Sequence, residues 1–178
     1  MIRAVRDTDI PVFLDWYNYY IQNTTVTFEE AMLSDHAFLS RAERIIKQYP
    51  WLVLEVDGKP VGYAYLDRFN VRNAYRYTAD VTVYLDPNQT GKGYGRILME
   101  ALEEEAKRRN IHKLVSLVTE GNLPSEKLHE FLGYRKAVCL EHVGYKFGRW
   151  LGVSWYEKDL LPFEENPGKV FETEGDRQ

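Results

Sequence analysis

Val81-Thr-Val-Tyr-Leu-Asp-Pro-Asn-Gln-Thr-Gly-Lys-Gly-Tyr-Gly-Arg-Ile-Leu-Met-Glu-Ala-Leu102 is the stretch around which the chain is organised. The β-branched and aromatic run Val81 to Leu85 reads as a strand, and Asp86-Pro-Asn88 stops it. Three alternate glycines, Gly91, Gly93 and Gly95, then lead into an apolar-periodic segment that reads as a helix. A strand, a glycine loop and a helix start make an anion-binding arrangement. The first turn of a helix has backbone N–H groups without intrahelical partners and the positive end of the helix dipole, and glycines let a ligand approach the backbone. A phosphate or pyrophosphate is the expected guest. The spacing excludes a P-loop, which needs G-x-x-x-x-G-K-[ST], and G-x-G-x-G does not fit the G-x-G-x-x-G dinucleotide fingerprint.

The 178 residues suit one domain, with 1–162 as its body and a polar tail at 163–178 that is expected to fray. Hydrophobic residues at 44% and charged residues at 28% are ordinary for a soluble globular protein. No apolar run reaches the roughly 18 residues of a membrane span, and the N-terminus has no signal-like apolar stretch, so a cytoplasmic protein without membrane contact is expected. The net charge of −4 argues against a nucleic-acid binder. The single cysteine, Cys139, excludes an internal disulfide, and the four scattered histidines offer no metal-ligand spacing, so no metal is expected.

Local patterns give the remaining elements. Strands are expected at 2–6, 51–56, 60–66, 75–85, 113–119, 136–143 and 150–156, and helices at 12–22, 34–48, 96–110 and 124–132. Asp57-Gly58 marks a hairpin turn. The order β-α-α-β-β-β-α-β-α-β-β predicts an α/β (α+β) domain whose sheet has about seven strands flanked by about four helices.

The glycine loop resembles the central motif of the GCN5-related N-acetyltransferases (GNAT), [QR]-x-x-G-x-[GA], matched here by Thr90-Gly91-Lys92-Gly93-Tyr94-Gly95 with threonine in place of Gln or Arg. The element order is the GNAT order, which implies a mixed, mostly antiparallel sheet. Within that superfamily the chain is similar to the phosphinothricin and methionine-sulfoximine acetyltransferases over about residues 2 to 160. The segments that carry this include Thr25-Val-Thr-Phe28, Tyr49-Pro-Trp-Leu52, Arg72-Asn-Ala-Tyr75, Leu128-His-Glu130, Leu132-Gly-Tyr134 and Gly144-Tyr-Lys-Phe-Gly-Arg-Trp150. The resemblance implies acetyl transfer from acetyl-CoA to the amine of a small amino-acid-like substrate, in a homodimer.

Acetyl transfer to an amine needs a bound thioester, an amine without its extra proton, and a proton for the leaving thiolate. The resemblance places the pantetheine arm along Val83, Tyr84 and Leu85 and the pyrophosphate on the amides of Gly91, Lys92, Gly93, Tyr94, Gly95 and Arg96, with Asn122 and Ser125 as further CoA contacts. Lys92 and Arg96 can add charge-assisted hydrogen bonds. Period-two alternation puts Thr78, Asp80, Thr82 and Tyr84 on one strand face. Asp80 falls where this group carries glutamate. Being shorter by about 1.5 Å, it is expected to act through water or to hold the ammonium. His129 stands where many GNAT enzymes have a tyrosine acid, and an imidazole can move a proton near neutrality. For the acceptor, Arg72 is the carboxylate clamp, because a guanidinium can grip a carboxylate with two hydrogen bonds. The resemblance adds Phe28, Phe69, Tyr75 and Thr119 as pocket walls.

Two other readings remain open on the residues. Fold does not fix the acceptor, so a peptide N-terminus or a polyamine is an alternative amine. Asp80 and Thr90 also leave room for a CoA-binding sensor without turnover.

Overall fold

A computed structural model describes residues 1–170. In chain order its elements are β1 (Ile2–Ala4), α1 (Ile10–Asn23), α2 (Asp35–Ile46), β2 (Trp51–Val56), β3 (Lys59–Arg68), β4 (Thr78–Leu85), α3 (Tyr94–Arg108), β5 (Lys113–Thr119), α4 (Leu123–Phe131), β6 (Arg135–Lys146) and β7 (Arg149–Asp159). The strands form one sheet in the order β1-β2-β3-β4-β5-β7-β6. Every neighbouring pair is antiparallel except β4 and β5. Their parallel pairing is short: Thr78 with Lys113, Ala79 with Leu114 and Asp80 with Val115. Beyond Asp80 the two strands part.

Each sheet face has its own apolar layer, because alternate side chains of a strand point to opposite faces. Leu98, Met99, Leu102 and Ala106 of α3 pack on Ala64, Leu66, Ala79, Val81, Leu114 and Tyr156. Phe13, Tyr17 and Ile21 of α1 and Phe38 and Ile45 of α2 pack on Trp51, Val53 and Tyr63 of the other face. Much of the high aromatic content lies in this second layer, with ring centroids 4.5 Å apart for Phe13–Tyr63 and for Trp51–Tyr65, and 5.2 Å for Tyr17–Tyr84.

Several boundaries differ from the local expectation, each for a visible reason. α3 begins at Tyr94, two residues early, because Gly93 at φ +79° turns the chain straight into the helix. β4 begins at Thr78, since Asn73–Tyr75 coils into a 3-10 turn. β6 runs on to Lys146, its register slipping between Lys136 and Val138 and between Leu140 and Gly144. The reversal therefore sits at Phe147-Gly148, both with positive φ, at the end of the expected connection between 143 and 150. Past Pro162 the chain does not hang free where it is described. The Tyr77 hydroxyl donates to the Gly168 carbonyl (2.5 Å), the Asn110 amide donates to the Pro167 and Lys169 carbonyls, and Val170 packs on the α3 layer. The rest of the expected tail, 171–178, lies outside the described residues.

Candidate active site

The parting of β4 and β5 opens a cleft of about 490 Å³. One wall is the strand Val81 to Leu85, and the other is Ser116 to Thr119 with Asn122, Pro124, Ser125 and Leu128 of the α4 region. Its mouth is Thr90, Gly91 and Gly93 to Arg96, and Tyr20 and Val26 reach it from the α1 side. Residues of both sheet faces line it, so the cleft runs through the sheet.

The backbone around the cleft suits a ligand with an anionic end and an amide-bearing arm. β4 has no strand partner on its β5 side after Asp80, which leaves amide donors and acceptors along one edge. One of them is in use, as the Tyr20 hydroxyl donates to the Leu85 carbonyl (3.0 Å). Gly91 and Gly93 have φ of +76° and +79°, and a Cβ on either would meet nothing within 4 Å, so the loop is an open cradle at the N-terminus of α3. Gly95 is different. Its missing Cβ would lie 3.2 Å from the Leu128 side chain, so this glycine lets α3 and α4 approach. Lys92 donates to Gln89 (2.6 Å). Arg96 pairs with Glu100 (2.7 Å), with its guanidinium 4.6 Å above the Phe131 ring.

Asp80 is the last residue of β4 still paired with β5, at the closed end of the cleft on the α1/α2 face. Its Oδ1 is buried with no hydrogen-bond partner among the described residues. Burial, and secondarily the nearby Asp67 carboxylate, raise its pKa from 3.8 to about 7. His129 is on the opposite side. Only 2% exposed, its ring packs on Tyr134 and Tyr156 of the α3/α4 layer. Its Nδ1 donates to the Ser125 carbonyl (2.7 Å), which fixes the tautomer and leaves the buried Nε2 as an unpartnered acceptor among the described residues. Burial lowers its pKa, with the Ser125 carbonyl acting the other way. The two side chains are thus on opposite faces of the sheet, and neither lines the cleft itself: Asp80 precedes its wall residue Val81, and His129 lies behind Ser125 and Leu128.

These features decide the family. Residues 13–134 match the acetyltransferase (GNAT) family. The chain belongs to it. It is 35% identical over 161 residues to the phosphinothricin N-acetyltransferase of Alcaligenes faecalis, covering 89% of this chain and 82% of that protein. It is 31% identical over 160 residues to the L-methionine sulfoximine/L-methionine sulfone acetyltransferase of Salmonella typhimurium, covering 89% of this chain and 94% of that one. The crystal structure of a phosphinothricin acetyltransferase from Sinorhizobium meliloti in complex with AcCoA superposes with a TM-score of 0.88 at 28% identity, covering 98% of this chain and 94% of that one. The chain is accordingly an acetyl-CoA-dependent N-acetyltransferase with the GNAT fold.

Against that fold, the expected cofactor residues Val83, Tyr84, Leu85, Gly91, Gly93, Tyr94, Gly95, Arg96, Asn122 and Ser125 all line the one cleft, as does Thr119, expected for the acceptor. Thr119 also donates its hydroxyl to the Thr25 carbonyl (2.6 Å), tying the α1–α2 loop over the cleft. The other acceptor residues stand apart from it. Phe28 lies across β6 where the missing Cβ of Gly144 would be, and Phe69 packs edge-on to Tyr75 (5.6 Å) and Trp155 (6.2 Å). Arg72 is exposed on the loop between β3 and β4, its backbone N–H donating to Asn70 (3.1 Å). Sequence reasoning passed over Tyr20, Thr82, Ser116, Leu117 and Val118 as cleft walls, because helical and strand periodicity marks them as ordinary face residues and the parting of two strands is a long-range property. Among the described residues no group of three or more His, Cys, Asp or Glu side chains can hold a metal ion, and no helix is long and apolar enough to cross a membrane.

Proposed function

We propose that the acceptor is a small amino acid or analogue of the phosphinothricin and methionine-sulfoximine type, acetylated on its α-amine by direct transfer, with Asp80 as the base. The observation that carries this is the buried, unpartnered Asp80 carboxyl at the closed end of the acetyl-CoA cleft, titrating near neutrality. An amino acid's ammonium must lose a proton before nitrogen can attack the thioester carbonyl. A carboxylate whose pKa lies near the working pH takes that proton and returns it to solvent with little penalty. Nitrogen then bonds to the acetyl carbon, the carbon–sulfur bond breaks, and the thiolate leaves. The nitrogen's second proton balances the one the thiolate takes up. His129 is the relay for it, because the hydroxyl of Ser125, a residue of the cleft wall, stands 3.4 Å from its Nδ1 and burial makes its imidazolium a ready donor.

Arg72, unpaired among the described residues and next to the Phe69–Tyr75 wall, holds the acceptor carboxylate. The names of the relatives support the small amino-acid acceptor over a peptide or polyamine. A homodimer is supported by β6, the outer strand of the sheet, whose Val138, Leu140, Val143 and Tyr145 are exposed together with Phe147 of the turn and Trp150 of β7. Cytoplasmic residence completes the reading. The test is thiol release from acetyl-CoA against phosphinothricin, methionine sulfoximine, methionine sulfone, the twenty amino acids, polyamines and short peptides. Turnover confined to the small amino acids and their analogues is expected. Turnover confined to peptides or polyamines would overturn the acceptor, and acetyl-CoA binding without any turnover would make the chain a sensor.

A further inference from the structure

Directly across the β3–β4 ladder from Asp80 stands a second carboxylate, Asp67, on the same sheet face. Residues opposed in this way have Cβ atoms about 5 Å apart, and like charges there repel. Asp67 is firmly held. Arg44 of α2 grips both its oxygens, at 2.8 and 2.7 Å, and the Arg68 backbone N–H donates to it at 2.7 Å. Asp80 has no such partner. The other titratable groups around it are engaged elsewhere. On β3, Tyr65 shares a hydrogen bond with Thr82, and on α2, Arg41 pairs with Glu29 at 2.6 Å. On β5, Lys113 is taken by Glu157 (2.9 Å) and Asp159 (2.6 Å) of β7, while the residue beside Asp80 is the apolar Val115.

Resting on the reading of Asp80 as the base, we propose that Asp67 and Arg44 are a positioning pair for it: Asp67 holds a fixed negative charge across the ladder that directs the acceptor's proton onto Asp80, and Arg44 keeps Asp67 in that place. Two carboxylates with one cation between them divide their roles. The one in the forked pair stays the anion, and the unpartnered one is the site that gains and loses the proton. The elevated proton affinity of Asp80, raised by burial first and by the Asp67 charge second among the described residues, agrees with this.

The test is the pH profile of kcat/KM for acetyl transfer to methionine sulfoximine, together with carboxyl-carbon NMR titration of Asp80 assigned by the loss of its signal in Asp80→Asn. In Asp67→Asn both the acid limb and the Asp80 titration should move down by about one pH unit. In Arg44→Gln both should move up, since two carboxylates without their cation titrate as a coupled pair with a raised upper step. A merely structural role would lower the rate without moving either midpoint, and unmoved midpoints in both variants overturn the proposal. So does an NMR shift that the rate profile does not follow. If instead Asp80→Asn keeps the wild-type rate and profile, the reading of Asp80 as base fails, and the pair's role falls with it.

Discussion

At the scale of single residues, Asp80 combines chemistry with a cost to folding. Its folded pKa of about 7 lies above the unfolded value of 3.8, so the folded state binds the proton more tightly. Stability therefore falls as pH rises from about 4 through about 7 and is constant above that, by roughly 4 kcal/mol at most. Asp80→Asn should melt several degrees above wild type at pH 8, with the gap closing by pH 4; scanning calorimetry at the two pH values checks this, and a gap independent of pH would contradict it. Arg72 makes a different prediction. Removing one charged grip on a carboxylate costs about 1.5–3 kcal/mol, so Arg72→Ala should raise the acceptor's KM roughly 10- to 100-fold. The calorimetric Kd for acetyl-CoA should stay as it is.

At the scale of elements, two glycines separate the cofactor end of the site from the acceptor end. Gly93→Ala puts a side chain at φ +79° and a methyl in the cradle, and should weaken acetyl-CoA binding about tenfold while leaving the acceptor's KM alone. Gly144→Ala drives a methyl into the Phe28 ring and should do the reverse, which steady-state kinetics with each substrate varied in turn would separate. Much of this level was legible in the sequence. The Asp57-Gly58 hairpin, the glycine cradle and the Thr78, Asp80, Thr82, Tyr84 face are local patterns of period two or of turn chemistry, and they stand as read. The end of β6 was read three residues early, at Val143, because a glycine inside a strand at a register slip looks like the start of a turn until its partner strand is known. The burial of His129 was also hidden: nothing in Leu128-His-Glu130 says that the ring is covered by Tyr134 and by Tyr156, 27 residues on in β7.

At the scale of the whole molecule, function follows from a sheet that divides after three paired residues. Asp80 and Asp67 face each other on the α1/α2 side, and the cradle, Ser125 and His129 stand on the α3/α4 side. Neither layer reveals the cleft alone, which is why the sequence reading found most of the cleft residues by resemblance and, of the β5 wall, named Thr119 but missed Ser116 to Val118. The exposed apolar stripe on β6 predicts twice the chain mass in sedimentation at micromolar concentration, and Leu140→Lys with Trp150→Lys should shift it towards the single chain. The most direct test of the account is one comparison on Asp80→Asn at pH 7.5: acetyl-CoA affinity by calorimetry beside the rate of thiol release with a turned-over acceptor. With Asp80 as the base, the affinity stays within about twofold of wild type and the rate falls by roughly 10²-fold or more. A variant that binds acetyl-CoA normally and keeps its rate within about threefold would contradict it.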